Sequence, residues 1–192
     1  MIRAAIGPTS ATEVVAYFAG YNELAWILEP AEQELLFRLS AAAFDNDQAW
    51  WGQSLAIAAN QRGESARAAA YADSALSVSA SQLAGNSIDP QLHVLYGVAL
   101  ALAGRNADAL REGAQGVALV TKDSDPNAYY IRLQMVRIQL IVGMKEQALD
   151  GLEALARKQY IITPGRLRLD PTYASLKGHP RFEKLLVQPT SP

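Results

Sequence analysis

Residues 63–76 read GESARAAAYADSAL, and seven of these fourteen residues are Ala or Gly. Such a stretch brings little side chain for either a hydrophobic core or a catalytic site. Alanine has the highest helix propensity, so the stretch could simply be a helix without further specification. The alternative is that small side chains are themselves required here, and the rest of the chain decides between the two.

Two later stretches repeat this pattern. GRNADALREGAQGVAL begins at Gly104 and GMKEQALDGLEALA begins at Gly143, so the three initial glycines are 41 and 39 residues apart. Each glycine is followed five residues later by an alanine, namely Ala68, Ala109 and Ala148. An amphipathic run precedes each glycine. A period in this range is typical of stacked helical units, so each unit is predicted to be a helix, a tight glycine turn and a second helix.

The repeated alanine then has a physical role. Two helices joined by a short turn approach each other most closely near that turn, and only small side chains let the backbones come together there. Gly97 lies seven residues before Gly104, and Ala56 lies seven residues before Gly63. We expect Gly97 and Ala56 to be the small partners on the preceding helices.

Aspartates mark the starts of the first helices. Asp89-Pro90 and Asp125-Pro126 open the second and third runs, and Asp45 or Asp47 opens the first. Asp at the N-cap accepts hydrogen bonds from backbone amides, and Pro in the first turn has no amide to satisfy.

This arrangement resembles the tetratricopeptide repeat family, whose unit has about 34 residues. The resemblance is clearest over residues 49–160. Longer connectors replace the family's short turn between repeats, and the family's proline near the end of each unit is missing. Val136 and Leu155 stand where the family has small residues, so the third unit is expected to pack more loosely or to end the stack. The resemblance implies an all-α superhelix of stacked helical hairpins.

The ends of the chain differ from the middle. We expect residues 1–46 to form an N-terminal helical cap, which could be a degenerate repeat. Residues 47–160 are expected to form three hairpins, and residues 161–192 a capping tail. The last apolar face of a helical stack needs a lid. The tail offers these residues for it: Leu167, Leu169, Tyr173, Leu176, Phe182 and Leu185.

The resemblance also implies a binding surface, because the first helix of each hairpin lines a concave groove in this family. Carried over position by position, the groove residues that would bind a peptide or helix of a partner protein are Trp50, Gln53, Ile57, Asn60, Val94, Val98, Ala101, Tyr130, Leu133 and Arg137. Such a groove is apolar and aromatic, which favours an amphipathic helix or an extended apolar peptide. The alternative stays open that many of these side chains pack against the next repeat or the tail.

The residues that carry chemistry are few. The sequence has no cysteine and two histidines, His93 and His179. No kinase, phosphate-binding or dinucleotide-binding motif is present, and the Asp-rich stretches at 45–47 and 122–125 lack the ligand spacing of a calcium loop. We therefore expect no enzyme, no cofactor and no metal site, and structural roles for both histidines.

The charges bear on partners and location. A net charge of −2 provides no basic field for nucleic acid. No stretch reaches the roughly 18 apolar residues of a membrane span, and the start lacks the apolar segment of a signal peptide, so a cytoplasmic protein is expected. Residues 13–47 hold seven acids and one base, whereas residues 157–184 hold seven bases and two acids. This polarity suggests head-to-tail association between copies, or else two separately solvated faces.

The function predicted is a non-catalytic protein–protein interaction scaffold. The combination of GYNELAWILEPAEQELL, the repeats and LRLDPTYASLKGHPRFEKLL is also similar to the helical C-terminal portion of certain bacterial multidomain signalling proteins. The alternative is therefore a regulatory or oligomerisation segment of a bacterial signalling enzyme such as a serine/threonine kinase. In that case the chain would be a piece, or a stand-alone relative, of something longer.

Overall fold

The computed structural model describes residues 8–20, 24–122, 126–157 and 162–187. Every regular element within these ranges is a helix, so the predicted all-α class is confirmed. The chain divides into two compact units, residues 1–81 and residues 82–192. The division falls inside a long helix, within the segment 47–160 that the sequence predicts to be one array of three hairpins.

The first unit is built around a core that includes Val15, Leu36, Phe44 and Leu55. Its helices are α1 (Pro8–Gly20), α2 (Pro30–Leu36), α3 (Gln48–Gln61) and most of α4 (Ser65–Gly85), with 3₁₀ helices at Ala25–Ile27 and Ala41–Phe44. A capping box starts α2, in which the Glu29 amide donates to the Glu32 carboxylate at 3.0 Å. This satisfies amides that a helix start otherwise leaves without partners.

The second unit contains two helical hairpins and a covering segment. Its helices are α5 (Pro90–Leu102), α6 (Asn106–Leu119), α7 (Pro126–Ile141), α8 (Lys145–Ala156), α9 (Pro164–Leu169) and α10 (Pro180–Val187), with a 3₁₀ helix at Pro171–Leu176. Helix α5 pairs with α6 and α7 pairs with α8, and α7 also packs on both helices of the preceding hairpin. Residues 162–187, which we call the cap, follow α8.

The three predicted glycine turns are confirmed and share one geometry. Gly63, Gly104 and Gly143 have φ angles of 76°, 78° and 85°. In each turn the glycine amide donates to the carbonyl three residues earlier, and the next amide donates to the carbonyl five residues before it. This pair of bonds is the Schellman motif, which closes a helix end with a residue in the left-handed conformation. The 41- and 39-residue spacing therefore reflects three copies of one turn.

We expect Gly104→Ala to lower the free energy of unfolding by about 1–2 kcal/mol, because a Cβ atom is strained at positive φ. The matched change is Gly85→Ala at the end of α4, where a Cβ atom would meet nothing within 4 Å. Removing glycine's backbone freedom there is expected to raise stability by up to about 1 kcal/mol. Thermal unfolding of both variants measures the difference. A shift of the same sign in both would contradict the turn's role.

Small side chains mark the close approaches within the hairpins, as predicted. Ala109 is fully buried, and a Cβ atom on Gly97 would lie 3.1 Å from the Ala109 backbone oxygen. In the third hairpin the larger Val136 faces a glycine instead, since a Cβ atom on Gly151 would lie 2.5 Å from Val136 Cγ2. The departure from the repeat pattern at Val136 is thus accommodated on the opposite helix. The cap follows this hairpin where another hairpin could have continued the stack.

Aspartate capping is confirmed where the predicted residues are described. Asp47 accepts from the Trp50 amide at 2.9 Å, so it, and not Asp45, caps α3. Asp89 accepts from the Gln91 amide at 2.8 Å at the start of α5. The predicted N-cap Asp125 lies outside the described residues.

Candidate protein-interaction surfaces

Most of the predicted groove residues are buried. Those that expose 7% of their surface or less are Gln53, Ile57, Val94, Val98, Ala101, Leu133 and Arg137. Side chains this deeply buried offer a partner little surface in this conformation, and binding by these seven stays a prediction. The alternative in which they serve packing describes them better.

Three predicted groove residues keep some accessible surface. Asn60 is exposed, and Trp50 and Tyr130 are half-buried. The Trp50 ring packs at right angles to Phe44 with centroids 5.4 Å apart, and it lies so close to Gly20 that a Cβ atom there would be 2.3 Å away. Trp50 is therefore a packing residue of the first unit as much as a surface residue.

A cavity of about 410 Å³, which the sequence did not indicate, lies between α6, α7 and α8. Apolar and small residues form most of its wall, namely Val117, Met135, Val136, Gly151, Ala154 and Leu155, and the remaining lining residues are Arg132, Gln139 and Gln147. An apolar wall with a few polar groups is the usual composition of a binding cavity, and its volume is within the usual range. Helices α6 and α8 are each the second helix of their hairpin, and α7 lies between them.

The cap covers the apolar faces of α7 and α8. One buried cluster joins Leu133, Leu149 and Leu152 to the cap residues Tyr173 and Phe182. The predicted lid is confirmed for Leu167, Tyr173, Leu176, Phe182 and Leu185. Leu169 is 68% exposed, so its assignment to the lid is wrong. In the short helix α9 it lies two positions, about 200°, from the buried Leu167 and so points away from the core.

An ion-pair network joins the start of α10 to α8. Arg181 contacts Glu146 at 3.0 Å and Asp150 at 2.6 Å, and it donates to both oxygens of Glu153 at 2.8 and 3.0 Å. His179 Nε2 lies 3.0 Å from Glu146, and its Nδ1 accepts from the Arg181 amide, so a neutral imidazole satisfies both contacts. The basic tail is thus partly neutralised within its own unit, whereas head-to-tail association between copies stays a prediction.

Because of this network, the stability of the fold should depend on pH. The hydrogen bonds from Arg181 hold the pKa of the Glu153 carboxyl below its ordinary value. A group with a lowered folded pKa stabilises the fold above its unfolded pKa, and this contribution disappears as pH falls through the folded pKa. We expect Glu153→Gln to unfold at lower temperature than the wild type at pH 7, and the difference to shrink as pH falls below about 4. An unchanged difference at pH 3 would contradict this.

Several polar side chains are buried where α7 meets the cap. Arg137 donates to Gln134 at 2.8 Å, and Asp170 accepts from the Thr172 amide at 2.9 Å. Burial raises the pKa of the Tyr173 phenol, and the charge of Asp170 raises it further. Within the protein, Arg166 Nε and Nη2 and Asp170 Oδ2 make no hydrogen bond, and Arg166 Nε lies 3.7 Å from Asp170 Oδ2. These two side chains therefore form an ion pair within the cap.

His93 fastens the second hairpin, consistent with the structural role predicted for it. Its Nδ1 lies 2.8 Å from Glu112 Oε2 on α6, and its Nε2 lies 3.0 Å from the Ser87 carbonyl before α5. Each ring nitrogen thus faces an oxygen, one from α6 and one from the segment before α5. His93 is 7% exposed, which makes this contact largely buried.

We expect His93→Ala to lower the free energy of unfolding by about 2 kcal/mol, since it leaves a mostly buried carboxylate and a carbonyl without their donor. His179→Ala is the matched control, because that side chain is 30% exposed and its partner Glu146 is 64% exposed. The control should cost less than about 1 kcal/mol. Urea unfolding of both variants tests this, and equal costs would show that burial of the His93 pair contributes nothing.

Half-buried aromatic and arginine side chains of the first unit stack on one another. The Arg67 guanidinium lies 3.8 Å from the Phe37 ring centroid, and Phe37 stacks on Tyr71 with centroids 6.0 Å apart. Trp51 packs edge-on to Tyr71 and donates to the Leu39 carbonyl at 2.9 Å. Arg, Tyr and Trp are enriched at the energetic centres of interfaces. This stack is a second candidate contact surface.

Sequence reasoning missed these surfaces for a common reason. Arg181 and its three partners lie 28–35 residues apart in sequence, and Phe37 lies on a different element from Arg67. One signal was available. Glu146, Asp150 and Glu153 are spaced by four and three residues on α8, which places their carboxylates on one helix face.

Comparison with known proteins gives no assignment, because no family model, curated protein or solved structure matches this chain. Within the described ranges, no helix has both the length and the apolar content needed to cross a membrane. The same ranges contain no group of three or more His, Cys, Asp or Glu residues arranged to hold a metal ion.

Proposed function

We propose that the chain is a non-catalytic protein-interaction scaffold of tetratricopeptide type. The observation that carries this proposal is the threefold recurrence of one Schellman turn, with a buried alanine five residues after each glycine. Repeated hairpins of this kind form extended surfaces whose side chains vary while the framework stays constant. Such surfaces serve recognition of a peptide or helix of a partner protein.

The cavity between α6, α7 and α8 is the contact surface that the proposal favours. Most residues of the predicted concave groove are buried, whereas the cavity combines accessible apolar wall with polar groups. Ala154 lies in its wall and is exposed, so a larger side chain there would fill the cavity without entering the core. Tyr130 is a predicted groove residue of the second unit that keeps some accessible surface.

The test is affinity capture with the whole chain as bait, followed by mass spectrometry of the captured protein. We expect a partner that wild type and Ala114→Arg both retain and that Ala154→Arg loses. Ala114 is an exposed alanine in the middle of α6 outside the cavity wall, so it controls for the added charge. Loss with Tyr130→Arg alone would place the partner in the concave groove instead. Baits that capture no protein under any condition would reject the scaffold proposal.

A further inference from the structure

We propose that the face of α8 beneath α10 is a docking site for a basic amphipathic helix of a partner protein, and that α10 occupies this site in the chain alone. This inference goes beyond the proposed function, because it names a different surface and the chemistry of the partner that fits it.

The site has an acidic stripe beside an apolar one. Glu146, Asp150 and Glu153 lie on one face of α8, with 64%, 70% and 31% of their side chains exposed. Leu149 and Leu152 lie between them in sequence and are fully buried. A helix that matches both stripes needs an arginine or lysine beside large apolar residues at helical spacing.

The present occupant has this chemistry. Arg181 contacts all three carboxylates, while Phe182 and Leu185 join the buried cluster that contains Leu149 and Leu152. The pattern is Arg-Phe followed three residues later by Leu, so the charged side chain and both apolar side chains reach α8 from one helix. A partner helix with this spacing would make the same contacts.

Helix α10 is short, and its helical structure depends mainly on its contacts with α8. Helix α10 has eight residues, and isolated helices of this length are not stable in water, so α10 is helical only while it is docked. Its ion pairs are partly exposed, and such pairs contribute little individually and weaken with salt. Replacement of α10 is therefore a local event that leaves the two hairpins in place.

Tethering is the main advantage of α10 over a partner. A segment joined to its site by a short connection competes with an effective concentration on the order of millimolar. A separate helix of the same chemistry should therefore bind the wild-type chain weakly, and should bind strongly once the contacts of α10 are weakened. A natural partner would need additional contacts or a high local concentration.

The probe is a synthetic peptide with the sequence of residues 162–187, measured by isothermal titration calorimetry against three full-length chains. The first is wild type, and the second carries Arg181→Ala with Phe182→Ala to weaken its own α10. The third carries Leu169→Ala with Val187→Ala, two cap residues that are 68% and 76% exposed. Circular dichroism must first show that the first and third chains keep their helix content, and that the second loses no more helix than the cap contains.

We expect the peptide to bind the weakened-cap chain at least about tenfold more tightly than the other two chains. Adding Asp150→Lys and Glu153→Lys to that chain should abolish binding, and a peptide with Arg181→Glu should restore it. Equal affinity for all chains, no binding to any, or no restoration by the charge exchange would overturn the proposal. Dimers of the weakened-cap chain without peptide, seen by sedimentation, would overturn the choice of partner in favour of a second copy. The capture experiment with Ala154→Arg addresses another surface, so the two proposals can fail separately.

Discussion

Gly97→Val is expected to lower the free energy of unfolding by about 3 kcal/mol. A Cβ atom at Gly97 would lie 2.7 Å from Ile138 Cδ1, 3.1 Å from the Ala109 backbone oxygen and 3.2 Å from the Gly113 backbone nitrogen. Two of these three neighbours are backbone atoms of α6, so relief requires the helices to separate. Urea unfolding followed by circular dichroism measures the loss.

A double-mutant cycle with Ile138→Val separates the causes of this loss. The single change Ile138→Val removes a methyl group from a fully buried side chain and should cost about 1 kcal/mol. Combined with Gly97→Ala it also removes the closest clash, so the double variant should be more stable than the two single effects predict. Strict additivity would mean that Ile138 does not rest in the space that Gly97 leaves open.

Phe182→Ala is the second large effect, with an expected loss of about 3–5 kcal/mol in the docking of the cap. Phe182 is fully buried and links α10 to the cluster on α7 and α8. Because the helices of the cap are short, we expect the loss to appear as local opening rather than as unfolding of the hairpins. Amide hydrogen exchange should accelerate over residues 162–187 and stay unchanged in α5 and α6.

Leu169→Ala is the control for this result, since Leu169 lies in the same segment and is 68% exposed. Its amide exchange should match the wild type. If Phe182→Ala accelerates exchange in α5 and α6 to the same extent as in the cap, the cap and hairpins open together. The docking site proposed for α8 would then have no separate existence.

The features that the sequence predicted well are local ones. A Schellman turn is made by a few consecutive residues and needs a glycine, so Gly63, Gly104 and Gly143 could be located by spacing alone. Aspartate capping depends on residues two or three positions apart, which is why Asp47 and Asp89 could be chosen. The alternation of helix and turn follows from both.

The features that could not be predicted depend on what packs over each helix. Val98 and Leu133 lie on first helices as expected, but their burial is set by residues far along the chain. Arg181 is the clearest case, because the sequence presents it as part of a basic tail whereas the fold places it among three carboxylates. Composition reports a charge, and only the tertiary contacts decide whether that charge faces solvent or a partner.

The packing of Trp50 and Trp51 has a spectroscopic consequence. The chain has three tryptophans, Trp26, Trp50 and Trp51, and all of them belong to the first unit. Intrinsic emission therefore reports on residues 1–81, through indoles set against Phe44 and Tyr71. The cap and both hairpins of the second unit contain no tryptophan and emit only through tyrosine. A tryptophan introduced at Tyr130 would therefore supply an optical signal for the unit in which Gly97→Val and Phe182→Ala are expected to lower stability most.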